Sequence, residues 1–331
     1  MECRKGEGIG VTNGMVIGRF LPLHLGHEAL IRTAQALVDQ LTVVVCATPG
    51  VWPDGVARVR WLLEMFPAAR VVAIEAPPAE DVQRDADLCA WLIERLRTVQ
   101  HGPVDCLFAA NPVQQEIAER IGARFVLIDP EQTAVPVQSD VIRERPHDYW
   151  QYLPPAVRPT YARTICLHGP ESTGKSTLAA QLAAHFETLF VPEYGRTYCE
   201  QFGRDTDMAD LVTIGRTHAA LTRAMLRQCN VRLILDTDPV MTAVWADMAL
   251  QQRDPWFDRF VDTADLYLLL DIDMPFVDDG LRIYGQEDER RRFFDLSRRE
   301  LERRGLLYRV IDGPVEERFG RALAAIAYAG L

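Results

Sequence analysis

Lysine is almost missing from this 331-residue chain: only Lys5 and Lys175 interrupt a run of 34 arginines among the 36 basic residues. Where a generic positive charge suffices the chain uses Arg, so a Lys retained inside a glycine-rich run marks a need for a compact ammonium. No C-x-x-C spacing occurs among the seven scattered cysteines (Cys3, Cys46, Cys89, Cys106, Cys166, Cys199 and Cys229). An odd, dispersed set points to neither a disulfide framework nor a zinc site, and suits core filling. No stretch approaches the roughly 18 unbroken apolar residues of a membrane span, and the charged start from Met1 to Glu7 does not read as a secretory signal. The expectation is a cytoplasmic protein without membrane insertion. An excess of base is lacking too, since the net charge is −11. That argues against non-specific binding of nucleic acid, whereas small anions remain compatible because local arginines and helix N-termini build their sites.

What is present fits two ordinary domains, given the length and 48% hydrophobic residues. Lys175 closes the run Gly169-Pro170-Glu171-Ser172-Thr173-Gly174-Lys175-Ser176, which has the G-x-x-x-x-G-K-[ST] form of a P-loop. There the glycines let backbone N–H groups turn toward a nucleotide's phosphates, the Lys reaches the β and γ groups, and the hydroxyl takes a Mg²⁺ position. The expected ATP-binding set is therefore Gly169, Glu171, Ser172, Thr173, Gly174, Lys175, Ser176 and Thr177, with Ser176 also a ligand to Mg²⁺. An apolar run, Thr164 to Leu167, leads in as a strand, and the residues from Thr177 lead out with helical spacing.

Strand-like runs alternate with amphipathic stretches along the whole chain, the pattern of parallel sheets covered by helices. In the first half the expected strands are Met15 to Gly18, Leu41 to Cys46, Arg70 to Ile74, Val104 to Ala109 and Arg124 to Ile128, with Leu30, Ala34, Leu37 and Leu41 at helical spacing between the first two. The proline-rich stretch 146–161 is expected to be a stiff junction docked through its aromatics. Residues 14–145 would then form one domain and 162–331 the other. In the second, strands are expected at Leu189 to Val191, Val231 to Leu235, Leu266 to Leu270 and Tyr308 to Ile311, a long helix around Ala209 to Gln228, and a solvated helix face from Arg290 to Arg304.

A second phosphate-facing turn lies near the start. Gly18-Arg19-Phe20-Leu21-Pro22-Leu23-His24-Leu25-Gly26-His27 follows the first strand and opens the first helix. Two histidines flanking a glycine at such a turn, with the helix N-terminal amides, can face one bound anion. The arrangement resembles the H-x-G-H signature of the nucleotidyltransferase superfamily, which implies that His24 and His27 steady the α-phosphate of ATP while Gly18, Arg19, Phe20 and Gly26 shape the site. The superfamily's second motif, about I-S-x-T-x-x-R, is matched by Val137-Gln138-Ser139-Asp140-Val141-Ile142-Arg143. Ser139 and Arg143 are the expected triphosphate contacts. Gln138 and Asp140 replace the usual Ser and Thr, so Asp140 either puts a carboxylate beside the polyphosphate or caps the helix and points away.

An H-x-G-H domain followed by a P-loop domain resembles the NadR family of NAD biosynthesis. Arg58-Val59-Arg60-Trp61-Leu62-Leu63, Arg143 to Trp150, Glu193-Tyr194-Gly195-Arg196, Asp236-Thr237-Asp238 and Val277 to Arg282 carry the same likeness. The resemblance implies a Rossmann-like adenylyltransferase joined to a P-loop ribosylnicotinamide kinase, with ATP, Mg²⁺, ribosylnicotinamide, nicotinamide mononucleotide and NAD as ligands. Only 14 residues precede the first strand, so the DNA-binding module of some members is not expected. Within the kinase, Glu193 at a strand's carboxyl edge is the candidate to accept the ribose 5′-hydroxyl proton, with Arg196 steadying nearby charge. Asp236 and Asp238 end another strand and are candidates for Mg²⁺, its water or the ribose hydroxyls, Asp236 being the metal candidate. Arg282 resembles a lid arginine that closes on the transferring phosphate. Trp256 either stacks on the nicotinamide ring or packs in the core. A first domain that binds nucleotide without turnover, and a kinase and adenylyltransferase of another vitamin pathway, are the alternatives; self-association stays open.

Overall fold

Buried apolar runs form two separate parallel sheets in a computed structural model that describes residues 11–76, 85–99, 102–277, 280 and 283–331, residues 85–88 by backbone alone. The chain divides between Thr160 and Tyr161 into two compact units. The first unit contains β1 (Asn13–Gly18), β2 (Gln40–Ala47), β3 (Arg70–Glu75), β4 (Cys106–Ala109) and β5 (Arg124–Leu127). They are ordered β3-β2-β1-β4-β5 and every pair is parallel. Val16, Val43, Val44 and Val45 are wholly buried, because helices cover both faces of a parallel sheet and its central strands read as unbroken apolar runs. Helical spacing continues through Leu41, yet the helix stops at Leu37 and Leu41 belongs to β2. Val38 takes extended backbone there, and Asp39 accepts from the Thr12 amide at 2.8 Å, which turns the chain into the strand.

The second unit holds β6 (Arg163–His168), β7 (Phe190–Val191), β8 (Arg232–Asp236), β9 (Leu266–Leu270) and β10 (Tyr308–Ile311). Their order is β10-β9-β6-β8-β7, again parallel throughout. Leu178, Ala179, Leu182 and Ala183 of helix Lys175–His185 pack on Ile165, Leu167 and Ile234 of the sheet. In both units the chain crosses from one side of the sheet to the other at the central strand, β1 or β6. Open α/β sheets bind ligands beyond the carboxyl ends at such reversals.

The proline-rich stretch falls within the first unit, and the arginine-dense helix departs from its expectation. The proline-rich stretch holds 3₁₀ turns at Trp150–Tyr152 and Arg158–Thr160, with Trp150, Leu153 and Val157 buried and the Arg158 guanidinium over the Trp150 ring. The arginine-dense helix, Glu287–Arg303, is not simply a solvated face. Arg290 and Glu300 are buried on it, and Glu300 binds Arg253, Arg303 and Arg304. Burial alone would raise the Glu300 pKa, but hydrogen bonds from Arg303 and Arg304 and the charge of Arg253 hold it at about 2. Sequence spacing records the alternation of sign, not which acid the arginines converge on.

Candidate active sites

In the second unit β6 ends at His168 and the next residue, Gly169, takes φ 127°, where an added Cβ would lie 2.7 Å from the Leu270 carbonyl oxygen. Only glycine fits a strand end pressed that closely on its neighbour. Ser172 and Gly174 also adopt left-handed backbone, φ 60° and 83°, so successive amides of the loop turn inward as an anion-binding nest. The buried Lys175 donates from Nζ to the carbonyls of Gly169 and Pro170, at 2.9 and 2.7 Å. Thr173 Oγ1 donates to the Pro170 carbonyl at 2.8 Å, and the buried Arg318 donates to the Thr173 carbonyl at 2.8 Å. Arg318 thus ties the loop to helix Val315–Tyr328. Nothing in its local sequence separates it from the other arginines.

Ser176 and Thr177 line the cleft at the loop, together with Glu193 and Arg196 that follow β7. Asp236, at the end of β8, faces Ser176, and its buried Oδ1 makes no hydrogen bond. Burial raises its pKa against the Ser176 hydrogen bond and the charges of Lys175 and Arg196. Glu193 is half-buried, and burial pushes its carboxyl up to about 7 despite the opposing charge of Lys175. A carboxyl that titrates there is suited to take a proton near neutrality.

Glu171, Glu193, Arg196, Met241 and Trp245 also line a second cavity of about 100 Å³ behind the loop. A single water needs roughly 10–15 Å³ by the same measure, so the space suits a small ring. Leu211, Ile214 and His218 of helix Met208–Met225 close its far side. Trp245 is the aromatic lining residue, stacked on Tyr284 with centroids 5.5 Å apart. Trp256 is outside that lining: its half-buried ring packs on Gly215 and on Phe257 and Phe260. Asp238 is also corrected. It caps helix Pro239–Ala249 by accepting from the amides of Val240 and Met241, and its other oxygen accepts from Tyr267 at 2.6 Å. An acid whose two oxygens are so occupied, and which is buried, is unavailable to metal or ribose. Glu171 accepts from the amides of Ile283 and Tyr284, at 3.0 and 3.1 Å, joining the P-loop to the segment after Gly280. Arg282 and the residues Asp278, Asp279 and Leu281 lie outside the described residues.

The first unit's cleft has a volume of about 560 Å³ and runs between the turn after β1 and the segment after β5. Phe20, with φ 49° and buried, sets its ring edge-on to His27 at 5.1 Å. His24 caps helix Leu25–Leu37: Nδ1 accepts from the Gly26 amide at 3.1 Å, leaving Nε2 to donate to Ser139 Oγ at 3.1 Å. That single bond joins the H-x-G-H turn to the second motif, 115 residues away. A Cβ on Gly26 would meet the His24 ring at 2.9 Å. Burial lowers the His24 pKa to about 4, and burial with the charge of His24 lowers that of His27, whose Nδ1 is buried without a hydrogen bond. Two neutral rings, 3.9 Å apart at their centroids, therefore face the cleft. Arg58 supports the turn from beneath, donating to the Arg19 and Cys46 carbonyls at 2.8 and 3.1 Å. Asp140 does not cap its helix, since Gln138 occupies the cap position without a side-chain bond. Its carboxylate instead meets Arg143 at 3.3 Å, and both line the cleft with Gln138 and Ser139.

These features define a chain of two parallel-sheet α/β units, the second built on a P-loop. A family model for an AAA domain matches residues 164–318. The chain is 30% identical over 338 residues to the trifunctional NAD biosynthesis/regulator protein NadR of Escherichia coli K12, covering 95% of this chain and 82% of that protein. It is also 30% identical over 305 residues to the protein of that name from Salmonella typhimurium LT2, covering 86% and 74%. A crystal structure of a NadR protein in complex with NR matches with a TM-score of 0.78 at 22% identity, over 97% of each chain. Another, with NAD and AMP-PNP, matches at 0.75 with the same identity and coverage. The chain belongs to the NadR family. Among the described residues no helix is long and apolar enough to cross a membrane.

Proposed function

We propose that the second unit phosphorylates ribosylnicotinamide with ATP and that the first, a Rossmann-like nucleotidyltransferase, joins the resulting mononucleotide to a second ATP to give NAD and pyrophosphate. The observation that carries the reading is Glu193, a carboxyl poised near neutrality that lines both the P-loop cleft and the ring-sized cavity behind it. In phosphoryl transfer the 5′-hydroxyl oxygen attacks the γ-phosphorus, its proton passes to Glu193, and the bond to the β,γ-bridging oxygen breaks to release ADP. Lys175 exchanges its two carbonyl contacts for β- and γ-phosphate oxygens, and Arg196 offsets charge beside the base. Ser176 and the orphaned oxygen of Asp236 would hold Mg²⁺, which when bound neutralises charge across the phosphates. Trp245, rather than Trp256, offers a π-face to a cationic pyridinium ring. Arg282 keeps its assignment as the lid arginine, on family resemblance alone.

In adenylyl transfer a phosphate oxygen of the mononucleotide attacks the α-phosphorus of ATP and the α,β-bridging bond breaks. The substrate is the nucleophile, so the protein supplies alignment and charge stabilisation. His27 and the amides of its helix N-terminus face the α-phosphate, His24 orients Ser139, and Arg143 holds the departing pyrophosphate once released from Asp140. The relatives named for NAD biosynthesis and the structures bound to NR, NAD and AMP-PNP support this pair of reactions over another vitamin pathway. The protein is mixed with Mg-ATP and ribosylnicotinamide, and the products are resolved by chromatography. The proposal expects mononucleotide, ADP, NAD and pyrophosphate. Mononucleotide and ADP alone would reduce the first unit to a nucleotide-binding module, and no ADP would remove the kinase.

A further inference from the structure

His218 is 2% exposed on the buried face of helix Met208–Met225, among Leu211, Ile214 and Ala219. A helix face of that kind needs no imidazole for packing. One ring nitrogen is turned toward the Asp236 backbone carbonyl, and neither nitrogen makes a hydrogen bond of normal geometry. Leaving a buried polar group unsatisfied destabilises the protein, a cost that a ligand's polar group removes when it arrives. A neutral imidazole has one N–H and one acceptor nitrogen, and an N–H turned toward the Asp236 carbonyl leaves the other as the acceptor. That nitrogen is buried and unpartnered, on a residue that lines the cavity.

The direction of the substrate follows from which residues the two clefts share. Glu193, Arg196 and Trp245 line both, the first two at the 5′-hydroxyl in the proposed reading and Trp245 beside the ring, whereas Leu211, Ile214 and His218 line only the cavity behind the loop, as do Arg204, Thr206 and Thr242. A ribosyl pyridinium entering 5′-end first brings its ring to that far wall, and the ring's one polar substituent is the carboxamide. We infer that His218 is the specificity contact of this cavity, accepting a hydrogen bond from the carboxamide NH₂ of a pyridinium nucleoside and thereby excluding the carboxylate analogue. A carboxylate has no hydrogen to offer and sets lone pair against lone pair at this nitrogen, in a cavity whose acids Glu171 and Glu193 are matched by Arg196 and Arg204. Sites that accept from a substrate N–H reject analogues lacking it far more strongly than apolar pockets reject a change of size.

This inference rests on the ribosylnicotinamide-kinase reading. Steady-state phosphorylation of ribosylnicotinamide and of ribosyl nicotinate is measured for the wild type, His218→Leu and His218→Gln, with the melting temperature of each ligand-free protein. His218→Leu is expected to raise KM for the amide by roughly tenfold or more with little change in kcat, and to bring the amide-over-acid preference toward unity. Its melting temperature should not fall, because an unsatisfied buried group has gone. His218→Gln, whose carbonyl oxygen accepts the same bond, should keep most of the preference. An unchanged KM in His218→Leu, or an equal rise for both nucleosides, overturns the inference in favour of a ribose contact or a packing role. Should His218→Leu fail to fold, loss of the preference in folded His218→Gln overturns it and retention upholds it. A wild-type protein that phosphorylates neither nucleoside removes the kinase reading itself, whereas an active wild type indifferent to His218 removes only this contact.

Discussion

Lys175 and His27 both lie in the first turn of a helix that leaves the central strand of a five-stranded parallel sheet, β6 in one unit and β1 in the other. Their electrical states differ. Lys175 brings an ammonium group that satisfies itself on the Gly169 and Pro170 carbonyls, inside a loop whose amides already converge. His24 and His27 are kept neutral by burial, and His27 Nδ1 has no partner. The P-loop is charged in advance and needs only to rearrange. In the proposed reaction the histidine turn would acquire charge only as a phosphate arrives, so its strength would depend on a well-seated polyphosphate and on Arg143, which Asp140 engages.

Four changes break or sharpen that contrast. The largest effect is expected of Lys175→Ala, which removes the P-loop cation. Phosphorylation of ribosylnicotinamide should fall by at least about a thousandfold, while conversion of supplied mononucleotide to NAD persists. Equal loss of both activities in folded protein would show that the turns do not serve separate reactions.

Next comes Glu193→Gln, expected to cost roughly 10²–10⁴ in kinase kcat if the carboxylate is the base. Because the Glu193 pKa is raised to about 7 by burial, wild-type kcat/KM for the nucleoside should climb with pH through about 7 and then level. The variant should lose that climb. Linkage gives an independent reading, with the sign set by a folded pKa above the unfolded value of 4.5. Stability is then lost as pH rises from 4.5 through about 7, so Glu193→Gln should melt no lower than the wild type at pH 8, with the gap closing in acid. A variant less stable at pH 8 would mean the carboxylate is a structural anchor.

His27→Ala should depress adenylyl transfer by roughly a hundredfold, the usual cost of one preorganised donor, and leave the kinase alone. Full retention of NAD synthesis would make this ring a packing residue. The smallest effect is expected of the double change Gln138→Ser with Asp140→Thr. Both groups of the Asp140–Arg143 pair are well exposed, so solvent screens the interaction and a gain of only about a few fold in KM for ATP is expected. Unaltered ATP affinity would show that Arg143 reaches the polyphosphate regardless of its neighbour.

The strand runs, the P-loop and the first histidine turn were legible because each is written in contiguous residues, and β9 and β10 begin and end where the apolar runs do. What stayed hidden depends on helix facing. Trp245 and Trp256 both sit on helices, and only the rotation of each helix turns Trp245 to the cavity and Trp256 onto Gly215. Asp236 and Asp238 stand two residues apart after the same strand, where a metal acid and a helix cap look alike in sequence. Proline at 239 was the available signal, since Pro favours the first helical position directly after a cap. His218, in the middle of a regular amphipathic helix, and Arg318, one arginine among 34, carried no signal at all.

Lys175 has one more consequence, and it is practical. With 34 of 36 basic side chains being guanidinium groups, amine-selective acylating reagents have almost nothing else to modify inside the fold. Lys175 is 7% exposed and hydrogen-bonded to its own loop, so its slow acylation would report how often the loop opens. A bound triphosphate would cover the same nitrogen. The mass of one peptide thus becomes a footprint of nucleotide occupancy in the second unit, with no label introduced and no residue changed.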